Sequence, residues 1–437
     1  MNIELLFSKA LEAGFSDIQV FLTDNSDLSM EVFNGELEKY EIADASSLTI
    51  RAIFNNKMAT YVTEVMDDAS IDGIIKNMLQ NAKVIDSLDD AIIYAGDPDY
   101  ELLTGAYDRN LDHLDVTAKI DLAKQLDALL HRESEKVSFV QTIYSESTKK
   151  VLLQNTKGLK LEDKANGAMF GAQVIVKDEK DQRTAFDVVM TNDFADFKPD
   201  EMAKEIVHNA TRQLGAKPVK TAKYELVLDR IAMSTILSAF QRIFSADNVQ
   251  KGMSLLKGKL NSRIGSDKVT LVDDPFRKKS GQSRSFDDEG VATKYKEIVK
   301  NGVLTTYLHN LVTAKKDGVA STGNSFGGSI SASNFVMLEG VLTKTDLIRS
   351  VKAGLYITEV QGAHSGANPI SGDFSLQASG FVIEDGELKA PVALITIAGN
   401  FIDFLNDIVE VANDPKTSYF EVTSPSVKVR PMPVSGI

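Results

Sequence analysis

Beyond Tyr224 the sequence alternates short β-prone apolar runs with turns rich in Gly, Ser and Thr, and this texture restricts the second half of the chain to a strand-dominated fold. The runs are Tyr224–Leu228, Val269–Val272, Asn334–Leu338, Leu355–Val360, Ser379–Ile383 and Val392–Ala398. Each is too short for an ordinary helix and is bounded by chain breakers. Helical spacing survives only at Arg230–Phe244, Asp346–Ala353 and Phe401–Val411. Residues 221–437 are therefore expected to form an antiparallel-sheet or barrel-like domain.

The first half carries more helix. Leu5, Leu6, Ala10 and Leu11 share one helical face, and Gly14 follows as a stop. Strands are predicted at Asp17–Thr23, Leu28–Asn34, Ser47–Asn55 and Lys57–Thr63, with Asn55-Asn56 as a tight turn. Ser70 is placed to cap a helix that buries Ile71, Ile74, Ile75, Met78 and Leu79. The turn-rich stretch Asp97–Arg109 suggests a linker. A helix capped by Thr117 follows, with Ile120, Ala123, Leu126, Leu129 and Leu130 as its buried stripe. Further strands are expected at Lys136–Ser145, Lys149–Asn155, Ala168–Lys177 and Arg183–Met190, then a helix from Pro199 that closes at Gly215. Lys217–Lys223 is a second linker. The whole reads as α+β, with a helix-bearing α/β N-terminal half and three units at 1–105, 106–220 and 221–437.

Composition narrows the function. Across 437 residues, apolar residues make up 43% and charged residues 25%, which is the balance of a globular protein. The net charge of −14 repels nucleic-acid phosphates, and the densest basic runs, Arg277-Lys278-Lys279 and Lys315-Lys316, are short; direct nucleic-acid binding is disfavoured. No cysteine is present, which removes disulfides, thiolate zinc ligands and thiol nucleophiles. The N-terminus lacks a basic signal-like region, and the most apolar later stretch, Pro391–Gly399, is too short for a bilayer, so a cytoplasmic protein without a membrane partner is expected.

No complete catalytic constellation emerges from spacing. His113, His131, His208, His309 and His364 are scattered, and no two lie within one helical turn, as a catalytic zinc helix usually requires. No Gly-x-Ser-x-Gly nucleophile elbow occurs. The stretch Gly252–Leu260 resembles a phosphate loop but has five residues between its glycines and Leu260 where a hydroxyl must hold magnesium. The carboxylates Asp273-Asp274 and Asp287-Asp288-Glu289 could do acid–base work or bind a hard cation; they also suit ordinary turns, and spacing favours the turns.

A series of stretches nevertheless appears in a fixed order: Gly252–Lys259, Val272-Asp273-Asp274-Pro275, Phe286-Asp287-Asp288-Glu289-Gly290-Val291, Asn301–Leu304, Ser321-Thr322-Gly323-Asn324, Asn368-Pro369-Ile370-Ser371-Gly372-Asp373, Ile383–Glu387, Ile395–Asn400 and Asn413-Asp414. In these the chain resembles the TldD/PmbA family, often labelled modulators of DNA gyrase. Phe33–Glu38 and Leu48–Arg51 extend the likeness into the N-terminal half, where glycines expected near Ser47 and Asn56 are missing. The resemblance implies a heterodimeric protease acting on peptides and unfolded chains. One branch carries a zinc motif of the H-E-x-x-x-H type on a helix; the PmbA or TldE branch lacks it. The corresponding helix here is Arg230–Phe244, which holds neither His nor Glu. The resemblance therefore implies no metal and no catalytic residue in this chain, zinc only in a TldD-like paralogous partner, and a peptide or unfolded protein as substrate.

Three functions follow. The first is a non-catalytic subunit that shapes a shared chamber and offers strand edges to extended peptides. The second is a regulatory binding protein of the gyrase-modulator kind. The third is an autonomous hydrolase built from carboxylates such as Asp288 and Glu289 with His364. Homodimerisation in the partner's absence is left open, as is the role of the acidic turns.

Overall fold

The computed structural model describes residues 1–85 and 90–437, and it is α+β throughout. In the first half, six antiparallel strands form one sheet. Their spatial order is Lys57–Thr63, Glu36–Phe54, Asp17–Phe33, Val137–Asn155, Lys160–Lys177 and Gln182–Thr191. The strands are longer than their apolar runs predict. Asp17–Thr23 and Leu28–Asn34 merge into a single strand because the polar residues between them pair on both sides, Asp24 with Ser46 and with Lys150. Neighbouring strands hold the backbone extended where local propensity would not. Asn55 and Asn56 both take positive φ, 49° and 60°, which matches the predicted tight turn.

Alternation along these strands divides the sheet into two faces. Even positions of Asp17–Phe33 feed two cores. Ile18 and Val20 pack beneath the helices Ile3–Glu12 and Ile71–Val84 with Leu6, Ile50 and Ile74. Leu28, Met30 and Val32 pack with Leu126, Phe170 and Ile206 beneath the helices Val116–Glu133 and Pro199–Thr211. The two cores share one sheet: Leu28, Met30 and Val32 precede residue 105 yet belong to the second core, and Asp17–Phe33 pairs directly with Val137–Asn155. Two helix caps differ from expectation. Asp115, not Thr117, caps the second pair's first helix, because its carboxylate can reach back to accept from the Thr117 N–H. Ser70 sits at its cap position without a side-chain cap bond.

Odd positions face the C-terminal half. Gln19 donates to the Asp288 carbonyl at 3.3 Å, and Phe21 packs with Val151, Leu153 and Phe286. The expected linker is docked here as well: the Tyr100 hydroxyl donates to the Gly290 carbonyl at 2.7 Å, and Asp97 accepts from the Ala292 N–H at 2.8 Å.

The C-terminal half contains two further six-stranded sheets. One runs in the order Glu387–Asn400, Asp373–Glu384, Ala353–Gln361, Ala222–Leu228, Val427–Ser435, Ile408–Val411, and the first strand also pairs with Val427–Ser435, which closes a ring. The other is built on Leu271–Asp273 and Phe335–Met337 and ends at Val422–Ser424 and Lys416–Thr417. Antiparallel pairing dominates, but Ala353–Gln361 runs parallel to Ala222–Leu228, and Phe335–Met337 parallel to Val422–Ser424. The helix expected at Phe401–Val411 stops at Asp407, where Ile408–Val411 is captured as a strand by Val427–Ser435.

The helix Arg230–Phe240, continued by a 3₁₀ turn at Gln241–Phe244, is the pillar between these sheets. Ala232, Met233, Ile236, Leu237, Phe240 and Ile243 are fully buried. Phe240 stacks on Phe401 at 4.3 Å between centroids and meets Phe374 edge-on at 6.3 Å. No helix among the described residues is long and apolar enough to cross a membrane.

Candidate functional site

The opposite face of that pillar borders open space. Ile231, Thr235, Ser238, Ala239 and Arg242, which recur on one side of successive turns, line a cavity of about 960 Å³. Its other walls are strand Gln182–Thr191, the end of helix Pro199–Thr211, the strand and loop from Tyr356 to Pro369, and the segment Lys416–Phe420. A cavity of this size is large enough for a substantial ligand, and its position at the junction of two sheets is typical of binding sites.

Most charges in the cavity are internally matched. Asp187 pairs with Lys416 at 2.6 Å, Asp229 with Lys344 at 3.3 Å, and Glu205 with Arg230 at 3.7 Å. Asp229 has three tasks: it caps the pillar helix by accepting from the Ile231 N–H, accepts a hydrogen bond from the Tyr356 hydroxyl, and receives Lys344. Burial, helped by the Asp229 charge, pushes the Tyr356 hydroxyl far above its ordinary range, so it stays a neutral donor. Among the described residues, no carboxylate pairs with Arg212 or Arg242. Arg212 lies 4.5 Å over the Phe381 ring with its buried Nε unpartnered, and the buried Gln213 Oε1 beside it is also unpartnered.

The motif carboxylates lie elsewhere. Asp273 is 1% exposed and saturated: Ser333 N–H, Ser333 Oγ–H and Asn334 N–H donate to Oδ1, while Lys296 Nζ and Asn324 Nδ2 reach Oδ2 at 2.9 and 2.7 Å. The Asp274 carboxylate accepts from the Phe276 N–H. Asp287 accepts three backbone N–H groups, from Glu289, Val291 and Ser325. Burial, reinforced by the Glu289 charge, pushes its carboxyl up to about 7 despite those donors. Asp288 accepts from the Gly327 N–H and pairs with Arg284 at 3.4 Å; Glu289 accepts from the Leu311 N–H, and burial raises its carboxyl too. These groups stitch loops together at the seam with the N-terminal sheet. Gly290 is part of the same seam: with φ +85°, a Cβ there would sit 2.7 Å from Leu159.

The remaining motif positions also shape loops. Thr322 accepts from the His309 N–H at 2.6 Å, and Gly323, at φ +68°, brings its backbone so close that a Cβ would lie 2.7 Å from the Ala292 carbonyl oxygen. Asn324 ties Asp273 to the Ser331 carbonyl. Asn368, Gly372 and Asp373 fold the loop at the cavity mouth: Asn368 Oδ1 accepts from Ile370 N–H, Gly372 N–H returns to the Asn368 carbonyl, and Asp373 accepts from Asn400. His364 is exposed on that loop and lines the cavity; Asp273, Asp274, Asp287, Asp288 and Glu289 do not. The structure does not assemble His364 with Asp288 and Glu289, so the hydrolase constellation weighed from sequence has no geometric basis.

The PmbA/TldA metallopeptidase domains match in order: domain 1 at residues 19–82, the central domain at 109–214 and the C-terminal domain at 221–436. A Thermotoga maritima structure named as a modulator of a DNA gyrase superposes with TM-score 0.93 at 33% identity, covering 99% of each chain. This chain belongs to the PmbA/TldD family. The metalloprotease PmbA of Escherichia coli O157:H7 is 25% identical, covering 95% of this chain and 92% of its own length. TldE from Thermococcus kodakarensis shares the fold, with TM-score 0.90 at 21% identity over 99% of this chain and 100% of its own.

The metal that a metallopeptidase family implies can be tested against the cavity. Zinc takes imidazole, thiolate or carboxylate ligands. The pillar helix offers hydroxyls, a methyl and a guanidinium, and among the described residues no three His, Cys, Asp or Glu side chains come together as a metal site. These residues do not fit a zinc ion.

Sequence reasoning missed the strand edge Thr184–Val188, the aromatic residues Phe186, Tyr419 and Phe420, and Arg242. Arg242 closes the helix already singled out, and its period from Ile231 was a readable signal. The aromatics meet only through tertiary folding.

Proposed function

We propose that this chain is the non-catalytic subunit of a heterodimeric, zinc-dependent protease of the TldD/TldE type, working in the cytoplasm on peptides and unfolded chains. A zinc-bearing paralogue supplies the metal and the activated water, and this subunit supplies one wall of the substrate chamber. The observation that carries the reading is the cavity-lining face of helix Arg230–Phe240. It borders a large cavity yet presents Thr235, Ser238 and Ala239, with Arg242 just beyond, in place of metal ligands. A metallopeptidase activates water with a Lewis acid and a base, and helix Arg230–Phe240 carries neither His nor Glu to supply them.

The test is zinc content and peptidase activity, measured on the chain alone and after co-expression with a TldD-like paralogue. The reading expects a metal-free, inert chain and a co-purifying pair that contains zinc and cuts an unfolded peptide. Stoichiometric zinc in the lone chain, or cleavage by it, overturns the reading. Binding to gyrase without the paralogue would favour the regulatory function that the Thermotoga protein's name suggests.

A further inference from the structure

Charge is spread unevenly along the chain. Residues 251–316 hold fourteen Lys and Arg against seven Asp and Glu, a net +7 within a chain of net −14. Three of the seven acids, Asp273, Asp287 and Asp288, are buried, so the surface of this stretch is more basic still. It opens with the motif Gly252–Lys259, and none of the motif's residues lines the cavity.

The motif folds into a loop anchored from below. Leu256 is fully buried, the Ser254 hydroxyl donates to the Ile243 carbonyl at 2.6 Å, and the Tyr307 hydroxyl donates to the Leu256 carbonyl at 2.6 Å. The Lys257 N–H returns to the Ser254 carbonyl and the Lys259 N–H to the Leu256 carbonyl. These bonds hold the backbone in one shape, so the groups it presents are preorganised. Gly258 takes φ +74° at the tip with open space over it, and its N–H has no acceptor among the described residues. Met253 and Leu260 flank the tip and are 43% and 44% exposed. The cations lack counter-charges. Lys251 is neutralised by Asp247 at 2.9 Å, but among the described residues no carboxylate pairs with Lys257 or Lys259. The Ser262 N–H returns to the Lys259 carbonyl, and Arg263 follows directly. Its guanidinium rests on the Gly265 and Asn301 carbonyls, which leave its charge unmatched.

We infer that the loop Met253–Arg263 docks an acidic polypeptide segment, whose carboxylates meet Lys257, Lys259, Arg263 and the free Gly258 N–H while an apolar side chain settles on Met253 and Leu260. Carboxylates form charge-assisted hydrogen bonds with all four donors, and a patch of one sign selects a partner of the other. Two other polyanions fit the surface less well. A bilayer is flat and would also face the acidic surface around the loop, since the residues outside 251–316 carry −21. A narrow segment engages only the charges within a Debye length, about 8 Å at physiological salt. A single-stranded nucleic acid is held by rings that stack on its bases, and residues 252–263 contain no aromatic side chain. The surface is separate from the cavity and does not rest on the subunit reading.

The test is fluorescence anisotropy of a labelled, unstructured peptide of Asp and Glu interspersed with Leu, titrated with the full-length chain. Binding is expected, with a loss of at least about tenfold when Asn and Gln replace the acids, and a similar loss when salt is raised from about 50 to about 300 mM. The double variant Lys257→Glu/Lys259→Glu should lose at least about tenfold. Lys124→Glu/Lys204→Glu makes the same change in net charge at exposed positions on the N-terminal helices and should lose less than about twofold. Met253→Ser/Leu260→Ser should cost about fivefold for the Leu-bearing peptide and nothing for one with Gly in place of Leu. Circular dichroism of each variant, matching the parent, shows that the fold is kept. Equal losses in the two charge-reversal variants overturn the patch, because the net charge alone would then explain binding. Tighter binding of a single-stranded oligonucleotide, or of vesicles of phosphatidylcholine with phosphatidylglycerol, that is lost in Lys257→Glu/Lys259→Glu overturns the polypeptide as occupant. No binding of the acidic peptide at millimolar chain overturns the whole inference. None of these readouts needs zinc or a paralogue, so their failure is distinct from failure of the subunit reading, which is decided by cleavage in the co-expressed pair.

Discussion

Removing the Asp273 carboxylate should destabilise the C-terminal half more than any surface change, and the size of the effect can be worked out from its contacts. Asp273→Ala deletes the acceptor of three donors on Ser333 and Asn334 and the partner of Asn324 Nδ2. It also strands Lys296, whose side chain is 11% exposed, without its counter-charge. Breaking a buried ion pair from one side costs about 3–5 kcal/mol, because the surviving charge remains desolvated. Globular proteins hold only about 5–15 kcal/mol in total. For a unit of this size each kcal/mol moves the midpoint by about 2–4 °C, so a fall of about 6–20 °C is expected. The assay is thermal unfolding followed by circular dichroism, with urea unfolding as a check. Adding Lys296→Met should return part of the loss by removing the stranded charge. A midpoint for Asp273→Ala within 2 °C of the parent would refute the view that this carboxylate braces the fold, and would return it to the list of candidates for chemistry.

Three other outcomes follow from the same contacts. Asp287 has a folded-state value raised by burial to about 7, so its contribution to stability is full below the unfolded carboxyl value near 3.8 and is lost as pH rises through about 7. Urea midpoints compared between parent and Asp287→Asn at pH 6, 7 and 8 should show the parent losing ground as pH rises, by up to about 1.4 kcal/mol per pH unit, with the slope reduced in the variant; parallel curves would refute it. Gly323→Ala combines a left-handed φ of +68° with a Cβ 2.7 Å from a backbone oxygen, and a loss of about 1–3 kcal/mol in urea unfolding is expected. Phe240→Ala removes a fully buried ring stacked on Phe401, and about 3–5 kcal/mol should be lost in urea unfolding.

Much of the fold could be read from local pattern because burial imposes a period. The even positions of Asp17–Phe33, the stripe of Val116–Glu133 and the apolar face of Arg230–Phe240 all follow spacing that a sequence displays openly. What the pattern hid was set by partners distant in the chain. Asp24–Asp27 looks like a loop, and it is extended only because Glu36–Phe54 and Val137–Asn155 flank it. Ile408–Val411 continues a helical period, and it becomes a strand because Val427–Ser435 has an edge to offer. The continuous sheet across the expected boundary at residue 105 has the same origin, since contact between residues about 120 apart leaves no local trace.

The candidate site divides along the same line. The family motifs were legible as short ordered stretches, and they are legible because they are constrained: Asp273, Asp287, Gly290, Gly323 and Asn324 each satisfy a buried donor or permit a close backbone approach. Constraint of that kind marks scaffolding as readily as chemistry, and in this chain the motif carboxylates are spent on backbone N–H groups and buried cations. The cavity, by contrast, is lined by residues with little to distinguish them in sequence. Phe186 sits in an ordinary strand, Tyr419 and Phe420 form a turn between two short strands, and Arg242 lies in the 3₁₀ turn that ends a helix. They come together only because strand Gln182–Thr191, the segment Lys416–Phe420 and the turn that ends helix Arg230–Phe240 border one space.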